Sequence, residues 1–247
     1  MTFLEQILAR LEKAGGTPVV QEIHGEKIVS ITGTELLAQI MQARSFLRGR
    51  ALNKNDRCAI LAPNSIDWIA LDLALMAEGI VVVPLNTRQT PGEIAGMLKD
   101  CTPAMIFAAT AEAIGELRKM WPGAPPAELF ENVFDRAYGG TVSNATLRHE
   151  TNDVVTIIYT SGTSGEPKGV GLNEGNVSFM LGCTNQRLDQ LMAGASEPDR
   201  VFQYAPFCFA AAWILLLTSL SRNSVLSLSM DLTKLGDEIK VARYYFR

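Results

Sequence analysis

Apolar and polar positions along this chain switch between a helical period and short continuous apolar runs. Residues 3 to about 13 repeat at helical spacing behind Thr2 and Glu5, which form a capping box, and Gly15-Gly16 closes the helix. Two short runs, residues 18–22 and 27–31, flank His24-Gly25-Glu26 and predict a hairpin, with His24 a solvated turn residue. A second capping box, Thr32 and Glu35, opens a helix to about residue 50, with Leu36, Leu37, Ile40, Met41 and Phe46 near one face. Residues 53–56 form a turn, and 58–61 read as a buried strand broken by Pro63-Asn64-Ser65. Asn64 and Ser65 are the alternative caps for a helix over 66–77 that is apolar nearly all round. Gly79 stops it, 80–83 is a strand, and a third capping box at Thr90 and Glu93, with Pro91 between, opens a helix to about residue 100. Residues 104–108 are again a strand, and 111–120 a helix.

Strand and helix alternating at this spacing predict βαβ units and a mostly parallel sheet, and the unbroken apolar strands predict cover on both faces. Residues 121–144, rich in Pro and Gly, read as an irregular surface crossing. A strand over 154–159, a brief extended piece over 169–172 and a helix over 176–190 follow. The polar break at 193–199 marks a subdomain boundary, after which a strand at 201–204, a helix at 210–220 and a strand at 224–228 restart the pattern. The expected division is a first α/β subdomain over 53–192, with 1–52 and 193–247 contributing to a second, incomplete one.

Composition narrows the classes. A net charge of −4 without a basic cluster argues against a nucleic-acid partner. The longest apolar stretch, 207–217, falls short of the roughly 20 residues of a membrane-spanning helix, and the N-terminus lacks a secretory pattern. Four scattered cysteines without a C-x-x-C, and two histidines far apart, make a zinc site unexpected. Each cysteine sits in or beside an apolar segment, so buried reduced thiols and a cytoplasmic location are expected.

The stretch with chemistry in it runs from Tyr159 to Val170: Tyr-Thr-Ser-Gly-Thr-Ser-Gly-Glu-Pro-Lys-Gly-Val. Gly162 and Gly165 free the backbone N–H groups to turn toward an anion, Ser161, Thr163 and Ser164 add hydroxyls, and Lys168 adds a compact positive charge behind the fixed Pro167. The stretch lacks the Gly-Lys-Ser/Thr of a Walker A loop. Composition leaves two readings open, a phosphate-binding loop and a flexible Gly/Ser linker.

Residues 159–170 closely resemble the phosphate-binding signature of the adenylate-forming superfamily, whose usual form is near Y-T-S-G-T-T-G-x-P-K-G-V, with Ser164 the one change in its core. Residues 75–86, a helix, Gly79, a strand and Pro84-Leu85-Asn86, resemble that family too, as do 90–107 and 206–228. The resemblance implies a mostly parallel α/β fold in αβαβα layers and an acyl-CoA synthetase chemistry. A fatty or aryl carboxylic acid attacks ATP in the presence of Mg²⁺ to give acyl-AMP, and coenzyme A then takes the acyl group. It implies Thr160, Ser161, Gly162, Thr163, Ser164, Gly165 and Lys168 as the phosphate cradle, with Lys168 and Thr163 closest to the chemistry and no metal ligand among them. Glu166, variable in the signature, is expected to face solvent.

Three departures qualify that expectation. Peptide-synthetase relatives carry an Asp at the position of Ala210 to hold a substrate amino group, so an α-amino acid is disfavoured. The family's frequent His residues are replaced at Asn173-Glu174-Gly175-Asn176-Val177 and at Phe209, leaving Phe209 either a packed aromatic or an apolar pocket wall beside Ala210. The Tyr-Gly-x-Thr-Glu segment, the ribose-binding Asp, the hinge and the lysine-bearing C-terminal domain have no match in 1–247. The expectation is therefore an N-terminal part, inactive alone and prone to self-association through a bared apolar edge. The alternative is a truncated, non-catalytic paralogue that binds a nucleotide or a partner.

Overall fold

Six of the helix starts in this chain are set by side-chain caps. In the computed structural model, which describes residues 1–134, 146–147, 149–161, 167–192 and 199–244 (the backbone alone at 161, 243 and 244), α1 (Phe3–Ala14) begins where Thr2 Oγ accepts the Glu5 N–H and the Glu5 carboxylate accepts the Thr2 N–H at 2.7 Å. Gly15, at φ 53°, ends it in a conformation that favours glycine. The chain turns into β1 (Pro18–His24) and β2 (Lys27–Thr32), an antiparallel hairpin around Gly25. Thr32 and Glu35 box the start of α2 (Gly33–Arg48). Gly33 sits so close to α1 that a Cβ there would lie 2.2 Å from the Leu11 carbonyl oxygen.

β3 (Arg57–Leu61) leads to α3 (Ile66–Ala77), capped by Ser65, whose hydroxyl accepts the Trp68 N–H at 3.0 Å. β4 (Val81–Pro84), the boxed α4 (Pro91–Cys101), β5 (Met105–Ala108) and α5 (Ala111–Met120) follow as the alternation predicts. The stretch read as an irregular crossing instead contains β6 (Ala127–Leu129) and α6 (Phe130–Phe134); residues 135–145 lie outside the described residues. Three residues are too few for a strand period to register, yet β6 pairs in parallel with β5, and Phe130 and Val133 are buried beside it.

β7 (Val154–Ser161) and β8 (Pro167–Asn173) pair antiparallel, so the brief extended piece expected at 169–172 is a full strand. α7 (Glu174–Leu191), β9 (Asp199–Gln203), α8 (Ala210–Ser221) and β10 (Ser224–Ser229) complete the pattern. A 3-10 turn (Leu232–Lys234) and an unforeseen α9 (Leu235–Tyr244) come last. The break at 193–198 lies outside the described residues.

The strands form a four-stranded sheet in the order β2-β1-β10-β9 and a six-stranded sheet in the order β6-β5-β3-β4-β7-β8. Pairing is parallel except at the two hairpins. This is an α/β fold with mostly parallel sheets flanked by helices. α3 touches β4 of one sheet and β1 of the other, and α8 rests on β10, α1 and α7. Both helices are mostly apolar because α3 from Trp68 on, and most of α8 from Ala212 on, are buried.

One polar contact crosses this interior. Trp213 of α8 donates its indole N–H to Asp72 Oδ2 of α3 at 3.0 Å, while Asp72 Oδ1 finds no partner among the described residues. Fully buried Ile69, Leu71, Leu73, Trp213, Leu216 and Leu217 around it contribute roughly 1.5–3 kcal/mol each, which outweighs one poorly solvated carboxyl group. The cysteine expectation needs one correction. Cys58, Cys101 and Cys208 are buried, but Cys183 is exposed, because α7 turns only Glu174, Val177 and Leu181 inward.

Burial pushes the Asp72 carboxyl up from its ordinary 3.8 to about 7. Between those values the native state keeps a proton that the unfolded chain has lost, so stability falls as pH rises through that window and is flat above it. Asp72→Asn is expected to remove this slope. The stability difference between variant and wild type should move in the variant's favour by up to about 4 kcal/mol from pH 4 to pH 8 in urea denaturation. Equal pH dependence of the two proteins would refute it.

Candidate functional site

The signature stretch is split across the β7–β8 hairpin. Tyr159 pairs with Gly169, Thr160 with Lys168 and Ser161 with Pro167. Residues directly opposite in a ladder share a face, so the Thr160 hydroxyl and the Lys168 ammonium lie on the same side of the hairpin base, both exposed. Lys168 makes no ion pair among the described residues. Gly162, Thr163, Ser164, Gly165 and Glu166 lie outside the described residues, as does the Ser161 side chain.

The opposite face explains two of the signature's residues. The Tyr159 hydroxyl lies 2.6 Å from Asp100 Oδ2 and 2.9 Å from the Met97 carbonyl oxygen, bracing the end of β7 against α4. Burial first, and then Asp100, raise the phenol well above its usual value, so it stays a neutral donor at any physiological pH. Its ring lies across Gly169, where an added Cβ would meet Ile157 Cγ2 at 2.9 Å and Tyr159 Cζ at 3.2 Å. A glycine after Lys168 is therefore a packing requirement. Farther down β7, the buried Thr156 hydroxyl donates to the Val82 carbonyl at 2.9 Å and fixes β7 beside β4.

A cleft of about 420 Å³ opens at the hairpin base. Thr160 and Pro167 line it together with Leu85 and Asn86 beyond β4, and Phe209 and Ala210 at the start of α8. The fold thus brings Thr160 to the Phe209–Ala210 turn; the Lys168 side chain is not part of the lining. Phe209 is 48% exposed, which corrects the packed-aromatic reading: it is the N-cap residue of α8, reached through a turn in which the Phe209 N–H donates to the Pro206 carbonyl. Among the described residues no side chain caps α8, so its first N–H groups and the positive end of its dipole favour an anion at that end of the cleft, which the Glu93 carboxylate also lines. Cys208, on the same wall, is pushed up to about 11 by burial and is a thiol, not a nucleophilic thiolate, at neutral pH.

A second cavity, of about 330 Å³, shares Leu85, Asn86 and Cys208 with the first. It lies where β3, β4, β9 and β10 end, with Trp68 and Phe207 on its apolar side and Arg88 and Tyr204 as polar lining. Sequence reasoning did not single out Trp68, Tyr204 or Asn64 here. The signal that could have found them is the rule that ligands of open α/β sheets bind beyond the carboxyl ends of the strands. The residues that replace the family's His after the signature serve the start of α7: Asn173 Oδ1 accepts the Asn176 N–H at 2.8 Å, and Glu174 accepts the Ser178 hydroxyl at 2.5 Å. Among the described residues no three His, Cys, Asp or Glu side chains gather to hold a metal, and no helix is long and apolar enough to cross a membrane.

Comparison with known proteins adds a family. The AMP-binding enzyme profile matches residues 9–234. The chain is 31% identical over 165 residues to the long-chain-fatty-acid–CoA ligase FadD15 of Mycobacterium bovis, covering 60% of this chain and 27% of that protein. It is 26% identical over 218 residues to long chain acyl-CoA synthetase 2 of Arabidopsis thaliana, covering 78% and 32%. The chain thus spans about a third or less of these relatives. Among solved structures, the Mycobacterium tuberculosis fatty acyl CoA synthetase superposes with a TM-score of 0.80 at 22% identity, over 96% of this chain and 47% of that one. The Bacillus subtilis O-succinylbenzoate coenzyme A synthetase in complex with ATP and magnesium ion gives 0.77 at 19% identity, over 95% and 60%. At these identities the likeness establishes the fold.

Tyr159→Phe is expected to cost about 1 kcal/mol of stability and to speed amide hydrogen exchange at Thr160 and Lys168 more than elsewhere in the six-stranded sheet. Uniform or unchanged exchange would show that α4 does not brace the hairpin.

Proposed function

We propose that this chain, which belongs to the AMP-binding enzyme family, carries the phosphate-facing and acid-facing part of an AMP-forming acid–thiol ligase. In this reading a carboxylate oxygen attacks the α-phosphorus of ATP, the bond between the α-phosphorus and the bridging oxygen breaks, and pyrophosphate leaves with the electron pair. The thiol of coenzyme A then attacks the acyl carbon, AMP departs, and the thiol proton is released. The observation that carries the proposal is the family match over residues 9–234, joined to a geometry in which the signature's Thr160 shares a cleft with Phe209 and Ala210.

Roles follow from chemistry. Thr160, Ser161, Gly162, Thr163, Ser164 and Gly165 would supply hydroxyl and backbone N–H donors to the β- and γ-phosphates. Lys168, in register with Thr160, would offset the charge that builds on the departing pyrophosphate, and Thr163 would add a hydroxyl donor. Among the described residues no three His, Cys, Asp or Glu side chains gather, and the proposal routes no step through Mg²⁺. The acid would lie toward Phe209 and Ala210, its carboxylate favoured by the uncapped start of α8. Ala210 offers no partner to an α-ammonium group, and this favours a fatty or aryl acid. The same reading takes 53–192 as one subdomain and 1–52 with 193–247 as parts of another. Its support is that the six strands of one sheet fall within the first range and the four of the other within the second.

The test is acid-dependent ATP–pyrophosphate exchange by the protein from its complete reading frame, over a panel of fatty, aryl and short-chain acids. Exchange is expected with at least one acid and with no α-amino acid. Lys168→Ala should slow it about tenfold or more, the equivalent of one lost charge-assisted contact of roughly 1.5–3 kcal/mol. Unchanged exchange in that variant would remove Lys168 from the mechanism, and exchange with no acid at all would overturn the function.

A further inference from the structure

Asn64 lies in the break between β3 and α3, where it does not cap the helix: Ser65 does. Its carboxamide instead reaches a segment some 140 residues away and bonds it in both senses. Nδ2 donates to the Ala205 carbonyl at 2.9 Å, and Oδ1 accepts the Phe207 N–H at 2.9 Å. One side chain thus supplies a donor and an acceptor as a neighbouring strand would, at a place beyond the end of β9 where the ladder has stopped. Two further contacts tighten the joint. Gln203 Nε2 also donates to the Ala205 carbonyl at 2.8 Å, and Trp68 lies against Phe207 with ring centroids 4.9 Å apart.

The segment held this way is the partition between the two cavities. Phe207 lines one, Phe209 lines the other, and Cys208 lines both. No regular ladder fixes it, so its placement depends on these few bonds, of which the Asn64 pair spans from one sheet's helix start to the other sheet's strand end. We propose that Asn64 is a positioning residue which sets the acid end of the cleft by holding residues 205–209. The role in acid selection rests on the ligase reading; the mechanical role does not.

Two measurements test it separately. In the complete protein, Asn64→Ala should raise the KM for the acid about tenfold and change the ratio of kcat/KM between a short and a long acid, while the KM for ATP stays within about twofold. Asn64→Asp, which keeps the acceptor for Phe207 and loses the donor to Ala205, should fall between. These ratios do not depend on the fraction of molecules folded, so a loss of activity with acid KM and preference unchanged would overturn the role in acid selection. Independently of any turnover, amide exchange at Phe207 and Phe209 should accelerate at least about tenfold in Asn64→Ala relative to strands β3 and β4; no local acceleration would overturn the positioning itself. If the wild-type protein activates no acid while the exchange result holds, the ligase reading fails and the mechanical role stands.

Discussion

The constraint on which the rest depends is the burial of α3 between the two sheets and of α8 against β10, α1 and α7. Each is mostly apolar, and the hydrogen bond that joins them, Trp213 to Asp72, is taken wholly out of water. Because parallel strands feed their helices from the same end, fixing these helices also fixes where their N-termini emerge. Asn64 and Ser65 stand at the start of one, Phe209 and Ala210 at the start of the other, and both starts border the two linked cavities. The core does not merely support the site; the direction of its two central helices determines which loops can meet there.

The signature stretch rests on a different device. Strand–loop–helix is the usual route by which a glycine-rich loop presents backbone N–H groups to phosphate. Here the described flanks form strand and strand, so orientation comes from ladder register. Register places Thr160 opposite Lys168 and lays the Tyr159 ring over Gly169. A one-residue slip of β7 would turn the Thr160 hydroxyl toward α4 and away from the face of Lys168. The Tyr159–Asp100 contact and the Thr156–Val82 bond both resist such a slip.

Much of the fold was legible because its signals are local. Three Thr–x–x–Glu boxes, at Thr2, Thr32 and Thr90, start helices where expected, and Ser65 starts a fourth. Elements without a local signal were missed: β6 is too short to show a period, and β8 was taken for a brief extended piece because Gly169 and Gly171 erase its alternation. The site divides in the same way. Residue types around 159–170 leave a phosphate-binding loop and a linker both open, and it is the resemblance that implies the reaction proposed above. The partition at 205–209 could not be read, since its bonds to Asn64 join residues distant in sequence and of unremarkable type. The exposure of Phe209 was likewise invisible, because an aromatic in an apolar run looks buried until the helix start beside it is known.

The central claim is that the hairpin base and the 205–210 turn enclose one activated acid between them. The most direct measurement is a crystal structure of the complete protein with a non-hydrolysable acyl-adenylate analogue. The account predicts the analogue's phosphate group at the cleft mouth on the Thr160 side, with the acyl chain running toward Phe209 and Ala210. An analogue seated away from this cleft, or with its acyl chain directed away from the 205–210 turn, would contradict it.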